Sequence, residues 1–137
     1  MKFISKYSVF ILILVFSFFA FKPLISQGFF PIHDDTQVAR TFEMTKALKD
    51  GMFPVRWSQD LGYGFGYPIF NFYNPLPYYV SGLISLFGFD ALSATKLMVI
   101  LAIVLSGFSM YLLSKEFFGK KGALFSSLLY VLAPFHA

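Results

Sequence analysis

Apolar residues fall in blocks separated by short polar breaks, and the length of each block predicts its role. Lys2 and Lys6 precede an apolar run from Tyr7 to Phe21, extended by Leu24 and Ile25 beyond Lys22-Pro23. A hydrocarbon core about 30 Å thick needs roughly 20 helical residues. Residues 7–25 therefore read as a first transmembrane helix, with Lys22 reaching back to the interface. Two lysines ahead of an apolar stretch also match a signal peptide, but Phe18-Phe19-Ala20-Phe21-Lys22 is too bulky for a small-x-small cleavage site, so the run is read as an uncleaved anchor. Three more blocks follow: 76–89 and 97–113, read as transmembrane helices 2 and 3, and 122–137, read as the start of a fourth. Asp90 and Lys96 mark the turn between the second and third, and 114–121, with Lys115, Lys120 and Lys121, is the next break. Alternation from an inside N-terminus places this lysine-rich break outside, whereas the positive-inside rule places it inside. Alternation is the reading taken, although a second block that dipped rather than crossed would reconcile the two.

Residues 26–75 then form a large extracytoplasmic loop. Pro31 disfavours continuing the first helix. From 36 to 49 the period is helical, with Thr36, Arg40, Glu43, Lys46 and Asp50 on one stripe and Val38, Ala39, Phe42, Ala47 and Leu48 broadly on the other. The charged stripe is spaced for Arg40/Glu43, Glu43/Lys46 and Lys46/Asp50 pairs. Asp34 with Gln37 resembles a capping box, and Asp50-Gly51 is a stop. The prediction is a short amphipathic helix lying along the membrane surface. Beyond it, Gly62-Tyr63-Gly64-Phe65-Gly66-Tyr67-Pro68 alternates glycine with aromatic rings and cannot be a regular helix. Its glycines resemble a dinucleotide loop, but no strand precedes them and no βαβ unit is possible.

Composition narrows the class. The chain is 57% hydrophobic and 13% charged, with 20 Phe, which marks an all-α polytopic membrane protein rather than a soluble domain. Its net charge of +4 comes from lysines and arginines spread singly or in pairs between apolar blocks, so no nucleic-acid surface is expected. There is no cysteine, which excludes disulfides and thiolate chemistry. Five of the seven acidic residues, Asp34, Asp35, Glu43, Asp50 and Asp60, lie between His33 and Tyr79, so acid/base or metal chemistry belongs there. Blander readings stand beside the chemical ones: an Asp before a helix commonly caps it, His33 suits the lipid-water boundary, Arg40 suits a pair with Glu43, and the aromatic run suits an interfacial belt. His136, near the end of the last block, is placed to face a polar cavity. That block stops without a loop beyond it, as in the N-terminal part of a longer polytopic chain.

Several ordered motifs carry a resemblance: His33-Asp34-Asp35, Arg40, Gly51-x-x-Pro54-x-Arg56-Trp57, Gly62-Tyr63-Gly64-x-Gly66-x-Pro68, Asn71-Phe72-Tyr73-x-Pro75-Leu76-x-Tyr78-Tyr79 and Ala133-Pro134-Phe135-His136. The chain resembles, over essentially its whole length, the "6-pyruvoyl-tetrahydropterin synthase-related" membrane proteins, which are similar to YfhO-like members of the GT-C glycosyltransferase superfamily. Pterin synthase chemistry itself needs a zinc held by three histidines, and this chain has two. The resemblance instead implies GT-C-like N-terminal helices in the plasma membrane, a polyprenyl-phosphate-linked sugar as donor and a cell-envelope acceptor. It implies Asp34 and Asp35 as catalytic carboxylates, with Asp34 as the base or as a ligand holding Mg2+ or Mn2+ against the donor phosphate and Asp35 in support. It further implies substrate contacts from His33, Arg40, Arg56, Trp57, Tyr63, Tyr67 and Tyr73, the arginines on phosphate and the rings along the sugar or polyprenyl path. The other class open to such a chain is a non-catalytic protein of lipid-glycan transport or assembly.

Overall fold

The structure, a computed structural model, describes residues 6–30 and 34–133. His33 and His136 lie outside the described residues. Among these residues the fold is all-α, with five helices and no sheet: α1 Lys6–Phe21, α2 Gln37–Lys49, α3 Ile69–Phe72, α4 Leu76–Leu86 and α5 Ala91–Val131. Two of them, α1 with the 3-10 turn Lys22–Ile25 and α5, are long and apolar enough to cross a membrane. The chain divides into two compact units, one of residues 1–30 and 99–137 and the other of residues 31–98.

In the first unit α1 buries Val9, Ile13 and Ser17, one residue in four. Phe10, Ile11, Val15 and Phe19 face outward and exposed. A helix apolar all round that turns most of its apolar surface away from the protein suits a lipid surrounding. Pro23 cannot continue the α-helical bonding, and α1 ends at Phe21 in the 3-10 turn. The long α5 reverses at Gly119, whose backbone stands at φ 63 and ψ −176. Residues 107 and 131 would lie about 36 Å apart on a straight helix. Instead Ser127 Oγ donates to the Gly107 carbonyl at 2.7 Å, and a Cβ built on Gly107 would meet Val131 Cγ2 at 2.7 Å and Ile13 Cγ2 at 3.2 Å. Two arms of α5 and α1 thus meet at one glycine. The polar stretch expected to separate two helices over 114–121 is itself helical apart from that single residue.

In the second unit α2 lies against α4. Gly82 admits Met44, whose Cγ would sit 2.9 Å from an added Cβ, and Met44, Ala47, Val55, Ile69, Phe70 and Tyr78 form the core. Beside them Thr41, Ser81 and Thr95 join hydroxyls, 2.9 Å from Thr41 to Ser81 and 2.9 Å from Thr95 to Thr41. Two expectations change here. The block over 76–89, expected to span, carries an 11-residue helix, about 16 Å long and half of what a bilayer requires. The helix over 36–49, whose period set Glu43 on the charged stripe, buries Thr41, Glu43, Met44, Thr45 and Ala47 and leaves Ala39 and Phe42 exposed. Glu43 is only 4% exposed because its carboxylate accepts the Ser58 hydroxyl at 2.6 Å and the Asp60 N–H at 3.1 Å. Lys46 pairs with Asp60 at 2.7 Å rather than with a residue of its own helix.

That carboxylate fixes the glycine-aromatic loop. Ser58 and Tyr67 exchange two backbone bonds, 2.9 and 2.8 Å, and Leu61 packs on the core. Gly66 stands at φ +81, and a Cβ there would collide with the Trp57 indole, whereas Gly64, at φ +86, has open space beside it. Gly64→Ala is expected to cost about 1–2 kcal/mol for the left-handed backbone alone. Gly66→Ala is expected to cost about 1–3 kcal/mol beyond that for overpacking. Melting followed by the fluorescence of the single tryptophan separates them; equal losses would mean that the indole does not seat on Gly66.

Candidate functional site

The residues just ahead of α2 and its first two turns gather several polar groups in one place. Asp34 precedes α2, and its carbonyl accepts the Gln37 N–H at 3.4 Å. Its carboxylate turns back on the chain: Oδ1 accepts the Thr36 N–H at 3.1 Å and also the Thr36 hydroxyl. The expected capping box is therefore not what forms, since Gln37 is drawn elsewhere. Asp34 Oδ2 accepts Arg40 Nη1 at 2.5 Å and the Tyr73 hydroxyl at 3.4 Å. Arg40 Nη1 also donates to the Tyr78 hydroxyl at 3.1 Å, and that hydroxyl donates to Gln37 Oε1 at 2.6 Å. The guanidinium carbon lies 4.2 Å from the centre of the Tyr73 ring, close enough for a cation–π attraction. Tyr73 ends α3 and Tyr78 lies on α4, so three elements converge on one arginine.

The electrostatics follow from these contacts. The Thr36 hydroxyl does most to hold the Asp34 carboxyl down; desolvation opposes it, and the Thr36 N–H and Arg40 add to the lowering, leaving it at about 2. Burial works against the Arg40 charge, but its bonds to Tyr78 and Asp34 outweigh that and hold it above the ordinary arginine range. Burial pushes the Tyr78 phenol up, against the pull of Arg40. Arg40 Nε is buried and has no hydrogen-bond partner among the described residues. A buried donor without an acceptor costs about 1–3 kcal/mol.

The residues singled out in the sequence separate into three places. Asp34, Arg40 and Tyr73 come together, and Arg40 pairs with Asp34, not with Glu43 as its helical spacing suggested. Asp35, next to them in the chain, is exposed and makes no hydrogen bond or ion pair among the described residues. Trp57 and Tyr67 sit at the base of the glycine loop and Tyr63 at its tip. Arg56 is exposed and unpaired among the described residues. Sequence reasoning missed Tyr78, Gln37 and Thr36 as members of the cluster. Gln37 was detectable as the i–3 neighbour of Arg40 on one helix face, and Tyr78 as the hydroxyl on the inward face of a short apolar helix.

Among the described residues no group of three or more His, Cys, Asp or Glu side chains is placed to hold a metal ion. Mg2+ and Mn2+ favour octahedral oxygen ligation, and one of the two carboxylates expected to bind them is locked to a guanidinium. This donor set does not fit a divalent cation. A carboxylate at about 2 is also a weak proton acceptor at neutral pH, so Asp34 suits the role of positioning Arg40.

The Asp34 shift carries a pH signature. Its folded value lies below the ordinary range near 4, so the unfolded chain binds the proton more tightly. The stabilisation is therefore complete above about pH 4 and drains away as pH falls from about 4 to 2. Asp34→Asn is expected to melt well below wild type at pH 6, with the gap closing towards pH 2.5 in detergent; a gap independent of pH would remove the ionised carboxylate from the account. No family model, no curated protein and no solved structure matches this chain, so the site rests on its own residues.

Proposed function

We propose that the chain carries the donor-handling part of an integral membrane glycosyltransferase of GT-C type, moving a sugar from a polyprenyl-phosphate carrier to a cell-envelope acceptor. The observation that carries this reading is Arg40, held by Asp34, Tyr73 and Tyr78 with an Nε that has no acceptor among the described residues, five residues along the chain from the exposed Asp35. An incoming phosphate replaces Asp34 on the guanidinium, which offers paired donors to two phosphate oxygens. The acceptor hydroxyl then attacks the anomeric carbon and loses its proton to Asp35. The bond from that carbon to the carrier phosphate breaks, and the phosphate leaves with the electron pair, its charge met by Arg40. Arg56 is an exposed cation and Trp57 and Tyr67 carry exposed rings at a separate place, the base of the glycine loop, where they suit a further part of the carrier or sugar.

The chain's path through the membrane fits this reading. An α4 of 11 residues supports a segment that stays on the outer side from the end of α1 to the start of α5. The first arm of α5 then returns the chain to the cytoplasm. Lys115, Lys120 and Lys121 flank the Gly119 reversal and join Lys2 and Lys6 on that side, which satisfies the positive-inside rule that strict alternation violated.

A non-catalytic lipid-glycan carrier or assembly factor is the second reading, favoured by the saturation of Asp34, which a purely structural clasp would also show. Sugar transfer from a radiolabelled polyprenyl-phosphate donor in membranes of producing cells separates the two. Asp35→Asn is expected to lower transfer by about 10²–10⁴-fold, the range for losing a general base, at unchanged protein level. Wild-type transfer in that variant would end the catalytic assignment of Asp35, and no transfer by wild type would favour the carrier. For topology, cysteines introduced at Asp60 and Lys120 are expected to react with an impermeant maleimide before and only after permeabilisation, respectively. Labelling of position 120 in intact cells would overturn the orientation.

A further inference from the structure

The glycine loop presents two rings to the outside on a stem that cannot easily move. From Gly62 to Gly66, four of five residues stand at positive φ, including Tyr63 at 59. Glycine adopts this backbone without penalty, but for tyrosine it costs about 1–2 kcal/mol. The turn closes on itself through Phe65 N–H to Gly62 O at 3.1 Å and Gly66 N–H to Leu61 O at 2.9 Å. Its base is clamped by the Ser58 and Asp60 bonds to Glu43, by the Lys46–Asp60 pair, by Leu61 in the core and by Trp57 on Gly66. At the tip Tyr63 is fully exposed and Phe65 88% exposed. Left in water, each such ring forgoes roughly 1.5–3 kcal/mol of burial. A strained, rigidly mounted tip with two bare rings is built for contact with something.

We propose that the Tyr63–Phe65 tip inserts into the headgroup layer of the bilayer that the chain's own helices span, as a fixed interfacial anchor for the segment 31–98. That segment is joined at both ends to the long apolar helices α1 and α5, which would tether it to any bilayer they cross. Between Leu61 and Tyr67 there is no charged side chain to oppose entry. A tyrosine beside a phenylalanine matches the interface, where the ring leaves water and the hydroxyl keeps it. The anchor takes Tyr63 out of the sugar path and is independent of any sugar transfer.

The chain contains no cysteine, so single nitroxide labels can be placed without background. Tyr63→Cys, Phe65→Cys and, as a control at the far end of α2, Lys49→Cys are labelled in the full chain reconstituted into phosphatidylcholine/phosphatidylglycerol vesicles. Native emission from Trp57, which packs at the base of the same loop, checks that the fold is intact. Labels at 63 and 65 are expected to be relaxed at least twofold more by oxygen, which partitions into lipid, than by a water-soluble nickel complex, with the order reversed at 49. If nickel dominates at 63 and 65, the tip is in water and the anchor is wrong. If both reagents are excluded there, another protein or a second copy covers the tip, which equally overturns the proposal. Should a labelled variant lose native Trp57 emission, Phe65→Trp in a Trp57→Phe chain reads the same position through quenching by brominated lipid against iodide. Quenching by iodide over brominated lipid gives the negative answer there.

Discussion

The close approach of α2 to α4 at Gly82 is the contact on which the rest of residues 31–98 depends. With Met44 seated against the glycine, the helices are near enough for Thr41 and Ser81 to share a hydrogen bond and for Arg40 to reach Tyr78. Any larger residue at 82 would push Met44 and Leu48 away and open these bonds together. The seam hydroxyls bond across it and also to carbonyls of their own helices, Ser81 to Tyr78 O at 3.2 Å and Thr95 to Ala91 O at 2.7 Å, so the cross-helix bonds add a preferred register to groups that are already satisfied. Position along α2 is thereby converted into position relative to α4.

Three carboxylates in or near α2 meet different fates, and their partners decide which. Glu43 is buried and spent on the loop, accepting from Ser58 and Asp60 so that the glycine turn is tied to the helix. Asp34 is spent on Arg40 and on the turn before α2. Asp35 is left to solvent. Asp34, accepting from Thr36 and Arg40, holds its negative charge strongly. The cluster around Arg40 ties the turn before α2 to α4 through Asp34, Gln37 and Tyr78.

Much of this was legible in the chain and some of it was not, for reasons of range. The Asp50-Gly51 stop could be read because a helix end is a local event: Gly51 stands at φ 79 and Met52 N–H reaches the Ala47 carbonyl at 3.0 Å. The glycine-aromatic stretch could be read as non-helical for the same reason. Glu43 could not be placed, because the 3.6-residue period groups it with the charged stripe while its partners lie 15 and 17 residues on. Arg40 was assigned to Glu43 by helical spacing, yet its partner Asp34 is six residues back, ahead of the helix where spacing rules do not apply. The block over 76–89 misled by hydropathy alone: its Tyr78, Ser81 and Gly82 look like tolerated exceptions in a span and are instead the face that meets α2.

The other unit is held by different physics. Each of its helices buries a narrow row at four-residue spacing, Val9-Ile13-Ser17 on α1 and Ala123-Ser127-Val131 on the second arm of α5, and the rows close on Gly107. In water such a thin apolar seam would be a poor core, since most of the apolar area stays outside it. In lipid the outward rings cost nothing, and association instead relies on small residues that let backbones approach and on hydrogen bonds between helices. Gly107 and the Ser127 bond to its carbonyl supply both at one point. Ser17, buried at the same point with its hydroxyl unpartnered among the described residues, is there for its size. The small residues at this crossing, Gly107 and Ser17, are what let the apolar helices approach so closely.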